Sequence, residues 1–253
     1  MKYPEDLREL SPGLVFDDHD ETKHYWLRDG KVMFRHYPIR GAHAESFRFY
    51  LGSFAKDRKN CYVCFSKLTG AHAPTFRALN LTYATDGRSV WALGGKLPDA
   101  DAESFVVCDD GCVVYPLGKR LLRVPHGYGK DKARVFYYDF NGKPNWVRKA
   151  TAASFVSLND AFFGRDDHFA FFGAATIPKA NVRHWRTLGR GYSQDDARVF
   201  YANRLIPEAD RDSFEVVPAG VINLAKDHRN YFDNDRRIDQ AEFEQKLQEF
   251  SRP

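Results

Sequence analysis

Seven aromatic residues recur along this chain at an almost constant step. Phe47, Phe76, Phe105, Phe155, Trp185, Phe214 and Phe243 are separated by 29, 29, 50, 30, 29 and 29 residues. A fixed period of this length marks a repeat protein, whose units are too small to bury a core alone and must pack on their neighbours. The flanking slots recur with the anchors. Five residues before the aromatic stands Ala42, Ala71, Ala100, Ala150, Ala180 or Ala209. Eight before it stands Ile39, Leu68, Leu97, Val147, Ile177 or Ile206. Three after it stands Tyr50, Leu79, Cys108, Leu158 or Leu188. Each set has the size and polarity of one core position.

Four residues before the aromatic the slot holds Asp101, Thr151, Asn181, Asp210 or Asp239, with His43 and His72 in the first two units. Asp, Asn and Thr cap the free N–H groups of a first helical turn, so one short helical turn is expected at each slot. A second signature, Lys56-Asp57-Arg58-Lys59-Asn60-Cys61-Tyr62, recurs at Asp86, Asp131, Asp166, Asp195 and Asp227. Asp among small or polar residues between apolar runs is turn chemistry, because its side chain bonds its own backbone two residues on. Each unit then reads as strand, Asp-led turn, strand, second turn and helical turn.

The expected fold is mainly β: a tandem array of about seven β-hairpin units, each with a short helical turn, forming an open solenoid-like stack or a closed ring. Two strands per unit are too few for four-stranded propeller blades, which take about 40 residues. The expected organisation is an N-terminal cap over 1–13, the repeat domain over 14–238 and a C-terminal capping helix over 239–253. The 50-residue step is read as holding a truncated unit at 108–126 and a longer hairpin tip around 139–143.

The repeated Lys-Asp-x-x-x-Tyr pattern, clearest at Lys56 to Tyr62 and Lys226 to Tyr231, resembles the DKNYY family of bacterial repeat proteins. The Ala-Asp-x-x-Ser-Phe segments at 100–105 and 209–214 fit the same resemblance, which extends from about residue 27 to 243. Thr151 and Asn181 replace the capping Asp and Trp185 replaces Phe, so units four and five depart from the pattern. The resemblance implies a bacterial origin and transfers no activity or catalytic residue.

Composition agrees with a β-rich globular chain: 43% hydrophobic, with 21 Phe and 13 Tyr, residues that favour strands. The net charge is +4, from 38 basic and 34 acidic residues. The two signs read as alternating along the chain, which argues against a nucleic-acid partner. No apolar run reaches the ~18 residues of a membrane span. No signal peptide is visible, so a cytoplasmic location is expected; a mature chain that had lost its leader would read the same.

Little chemistry is left over once the repeat is subtracted. Cys61, Cys64, Cys108 and Cys112 could be four zinc ligands, but Cys61 and Cys108 fall in slots that other units fill with Val or Leu, which suits small buried hydrophobes. The Asp turns could suggest calcium, but Lys, Arg or His accompanies almost every one, and a hard cation needs several oxygens. His43 and His72 read as substitutions in a turn. Ser104 and Ser213 recur one residue before the aromatic, whereas catalysis needs a single special copy. No catalytic residue, cofactor or metal is therefore expected. Lys59, Arg88, Arg134, Arg198 and Arg229 recur near the Asp turns and are the candidate partner-binding residues, as a ladder along one edge. The expected function is a non-catalytic protein-binding module, of the bacterial immunity type that occludes a toxin. The alternative is a glycan- or small-ligand-binding protein or enzyme, with a groove near 108–126 beside His126, Arg120 and Arg123.

Overall fold

The computed structural model describes residues 7–250 except 12, 19, 118, 119, 141, 159, 161, 220 and 221. Among them the chain is mainly β, arranged as eight small antiparallel sheets, with a single α-helix at Gln240–Phe250. It divides into two compact bodies: residues 1–112, 125–132 and 136–145 form the first, and 113–124, 133–135 and 146–253 the second.

One sheet of the first body shows the plan. Arg77–Ala78, Tyr83–Thr85, Val90–Ala92 and Gly95–Lys96 form a four-stranded meander. The central hairpin pairs Tyr83 with Ala92 and Thr85 with Val90, and the Asp86 turn closes it. The residue eight before the next aromatic ends the fourth strand: Leu97 N–H donates to the Val90 carbonyl at 2.8 Å. In the second body Arg186–Gly189, Tyr192–Gln194, Val199–Tyr201 and Arg204–Leu205 repeat the plan.

The hairpin expected around each Asp turn is present, and the structure adds a short strand on either side of it. Strands of two residues, such as Arg77–Ala78 and Gly95–Lys96, leave no alternation to detect in sequence. The expected count of two strands per unit was therefore too low.

The long step between Phe105 and Phe155 also differs from expectation. Val106 pairs with Lys130 and Val107 with Gly129, so the segment between them is an excursion from one sheet and not a shortened unit. It carries the two-stranded hairpin Cys112–Leu117 and Arg120–Pro125. Phe105 thus precedes Asp131 by 26 residues where Phe76 precedes Asp86 by 10, which locates most of the extra length.

The helical turns begin at the expected slot. They are 3-10 turns at Ala44–Ser46 and Ala73–Thr75, and single turns over 102–104, 152–154, 182–184 and 211–213. The last slot, Asp239, instead starts the α-helix: its Oδ1 accepts from Glu242 N–H at 2.8 Å. Phe243 and Leu247 of that helix cover Leu224 and Ile238 of the last sheet. At the other end Arg8–Glu9 pairs with Arg48–Phe49 as an extra edge strand. The rest of the expected N-terminal cap, residues 1–6 and 12, and residues 251–253 of the expected helix lie outside the described residues.

The anchors of the sheets, buried except for the half-buried Phe214, lie over the middle of the second strand. Ala55, Ala84, Gly129, Gly164, Ser193 and Ala225 occupy that slot and are buried. A Cβ added at Gly129 would collide with the Phe105 ring, and one at Gly164 with the Phe155 ring. Ring and small residue are complementary, so the slot tolerates at most one or two side-chain atoms. Ser193 is the exception in chemistry: its buried hydroxyl has no hydrogen-bond partner, and the Trp185 Nε1 of the same sheet is likewise buried and unpaired.

Two outcomes test this packing. Ser193→Ala should stabilise the protein by about 1 kcal/mol, since it removes an unsatisfied buried hydroxyl. Gly164→Val should destabilise it by about 2–3 kcal/mol through overpacking under Phe155. Urea denaturation measures both; a lower midpoint for Ser193→Ala would mean that its hydroxyl has a partner in solution.

Candidate functional site

The Asp of each hairpin turn is the most heavily used side chain in the chain. Asp57, Asp86, Asp131, Asp166, Asp195 and Asp227 are all buried. Isolated, a buried carboxylate would be costly. In Asp57, Asp86, Asp166, Asp195 and Asp227 one oxygen, Oδ1, accepts the N–H groups two and three residues ahead at 2.7–2.8 Å, as with Arg88 and Ser89 at Asp86. The other, Oδ2, accepts the N–H of the slot residue before the preceding aromatic, at 2.8–3.0 Å. The donors are His43, His72, Asp101, Thr151, Asn181 and Asp210. One carboxylate thus closes its own turn and fastens the helical turn to the end of the sheet.

For Asp86, burial pushes the pKa up, and the N–H groups of His72, Arg88 and Ser89 outweigh it, leaving the carboxyl below its ordinary 3.8. Asp195 and Asp227 are lowered in the same way against the same opposition from burial, and at Asp57 the Tyr62 hydroxyl, which donates to Oδ2 at 2.7 Å, leads the lowering ahead of the N–H groups.

The residue before the aromatic has a related task. Ser46, Ser104, Ser154 and Ser213 accept through Oγ from the N–H just after the Asp, at 3.1–3.4 Å. His43 and His72 use Nδ1 to contact the hydroxyls of Ser46 and Thr75, each at 2.9 Å. Neither caps its turn with its side chain, whereas Asp101 and Asp210 do.

All four cysteines are free thiols. Cys61 packs among Tyr50, Phe54, Leu68 and Phe76, and burial pushes its thiol up to about 12. Burial also takes Cys108 to about 12 and raises Cys64. Among the described residues no group of three or more His, Cys, Asp and Glu is arranged to hold a metal ion. No helix there is long and apolar enough to cross a membrane.

The five basic candidate residues do not fall in one slot. Lys59, Arg88 and Arg229 sit two residues after their Asp and are exposed. Arg134 and Arg198 sit three after it and are half-buried. Arg134 lies over the Trp146 ring at 5.6 Å. Arg198 donates to the Lys179 carbonyl at 3.0 Å and lies 3.5 Å from Asp195 Oδ2. Near the excursion, His126 N–H donates to the Gly111 carbonyl at 3.2 Å, and burial lowers the His126 pKa. Arg123 is half-buried, and the Arg120 side chain lies outside the described residues. The double use of the Asp was missed in sequence; its trace there is the spacing of 14 or 15 residues from slot to Asp at His43, His72, Thr151 and Asn181.

These features define a β-rich repeat protein built around a saturated turn aspartate. The DKNYY family profile matches residues 54–236, and the chain belongs to that family, as the Lys56–Tyr62 pattern indicated. No curated protein and no solved structure matches it.

Asp86→Ala should cost about 2–3 kcal/mol, because it removes the charged acceptor of three backbone N–H groups, and Asp86→Asn about half of that, because one acceptor survives. The lowered carboxyls give a pH dependence of definite sign. Their stabilisation is complete above the ordinary 3.8 and is lost as pH falls through the lower folded values. The urea midpoint should therefore fall between about pH 6 and about pH 3, and fall less in Asp86→Ala.

Proposed function

We propose that this chain is a non-catalytic protein-binding module, an array of about seven stacked units of some 29 residues, and within that class an immunity-type protein that occludes a toxin. The observation carrying this reading is how polar and aromatic groups are divided. The recurring Asp and Ser side chains are consumed by the backbone of the frame. Large rings meanwhile remain exposed: Tyr37, Phe65, Phe140 and Trp146 are each about half accessible. Tyr37 and Phe65 lie 5.0 Å apart, centroid to centroid, near the hairpin tips of neighbouring sheets. Exposed aromatics beside cations are suited to anchoring a protein interface. Repeat frames also let such residues vary without harm to the core.

Affinity capture from native lysate, followed by co-expression with the product of the neighbouring gene, tests the reading. One stoichiometric protein partner and protection of the host from that product are expected. Absence of both binding and protection would overturn it.

A further inference from the structure

Charge is segregated in the first body, contrary to the alternation read along the chain. Residues 28–96 hold twelve Lys and Arg against four Asp and Glu. Two of those four, Asp57 and Asp86, are the buried turn carboxylates. Strand register gathers much of this positive charge at one end of three consecutive sheets. Arg28 pairs with Lys31 across the first turn. Arg48 pairs with Lys56, which precedes Asp57, and Arg77 with Thr85, which precedes Asp86. Arg58, Lys59 and Arg88 stand in the turns themselves, and Arg40 lies in the bend leading to His43. The ends of neighbouring sheets adjoin there, since Lys56 Nζ donates to the Ala73 and Phe76 carbonyls of the following turn at 3.3 and 2.8 Å.

Few of these cations are neutralised. Arg28 faces Asp29, and Arg48 binds Glu9. The side chains of Lys31, Arg40, Arg58, Lys59, Arg77 and Arg88 are exposed and have no ion-pair partner among the described residues. The histidines at the capping slot, His43 and His72, add no carboxylate where later slots carry Asp101 and Asp210.

We infer that this edge is a docking surface for an acidic protein segment. The inference rests on the protein-binding reading and names the chemistry of the partner. Unpaired cations in a row raise the encounter rate and favour a partner of opposite sign. The patch is also bounded. Residues 97–112 of the same body carry Asp99, Asp101, Glu103, Asp109 and Asp110 and no Lys or Arg. Asp101 pairs with Lys132 of the next turn at 2.8 Å, so charge is balanced there and the unpaired positive run is confined to the ends of three sheets, a length that suits a compact acidic segment. Single-stranded nucleic acid is held by stacking on aromatic rings, and the exposed rings Tyr37 and Phe65 lie toward the other end of these sheets, near the hairpin tips.

Fluorescence anisotropy with a labelled polyglutamate peptide tests this directly, with an oligothymidylate of equal length beside it. The wild-type chain should bind polyglutamate at low salt and release it as salt rises. The triple variant Arg58→Glu/Lys59→Glu/Arg88→Glu should bind at least about ten-fold more weakly, and Arg229→Glu, an exposed turn residue outside the patch, within about two-fold of wild type. Circular dichroism confirms that each variant is folded. No polyglutamate binding, tighter binding of the oligothymidylate, or an equal loss in Arg229→Glu would overturn the inference. A lysate partner captured equally by wild type and triple variant would also overturn it while leaving the protein-binding reading standing. Charge-dependent polyglutamate binding with an empty lysate capture would support the edge and count against that reading alone.

Discussion

The structure depends on a buried carboxylate whose two oxygens are both saturated by backbone N–H groups. A charged group out of water is tolerated only when its hydrogen-bonding capacity is met, and bonds to an ionised acceptor are the strong ones. Asp fits where Glu would not, because its short side chain reaches the N–H groups two and three residues on while the second oxygen still faces the slot residue. Asp86 therefore fixes a turn, holds His72 against the end of its sheet, and leaves the exposed side chain of Arg88 free to differ. A frame held by backbone donors places almost no demand on what its turns display.

A second constraint is steric. The anchor ring needs a small neighbour on the second strand, and Gly129 and Gly164 show how little room it leaves. Core clusters then draw on successive sheets: Tyr25, Phe47 and Tyr62 share one in the first body, and Tyr192, Val199 and Phe232 share one in the second. Buried tyrosines join neighbouring sheets through their hydroxyls. In the first body Tyr83 donates to the Gly127 carbonyl at 2.9 Å, and in the second Tyr192 donates to the Asn223 carbonyl at 2.7 Å. A sheet with two-residue edge strands would not be stable alone; shared rings and these donor bonds make it part of a larger core.

The same division of labour bears on function. Side chains that would attract attention singly, such as Ser104 or Asp131, hold backbone groups in the frame. Variation is left to the turns and edges, where the basic residues of the first body accumulate beside an acidic stretch. Whole-chain charge conceals this, because the excess over residues 28–96 is offset elsewhere. A net value near zero says little about how a surface is arranged.

Period and slot chemistry by themselves determined that the chain repeats, that Phe47, Ile39 and their equivalents form the core, that an Asp turn closes each hairpin, and that a helix follows Asp239. Side-chain size and polarity recurring at one spacing carry that information locally. Family membership was legible for the same reason, in Lys56 to Tyr62. Strands of two residues were invisible, because a period of two needs more than two residues to appear. The 112–125 excursion was read as a shortened unit because nothing local states that Val106 pairs with Lys130 across it. Which donors satisfy the second oxygen of each Asp, and which of the basic residues gather at one end of the sheets, were likewise decided only by tertiary structure. Both depend on strand register, which brings together residues far apart in the chain.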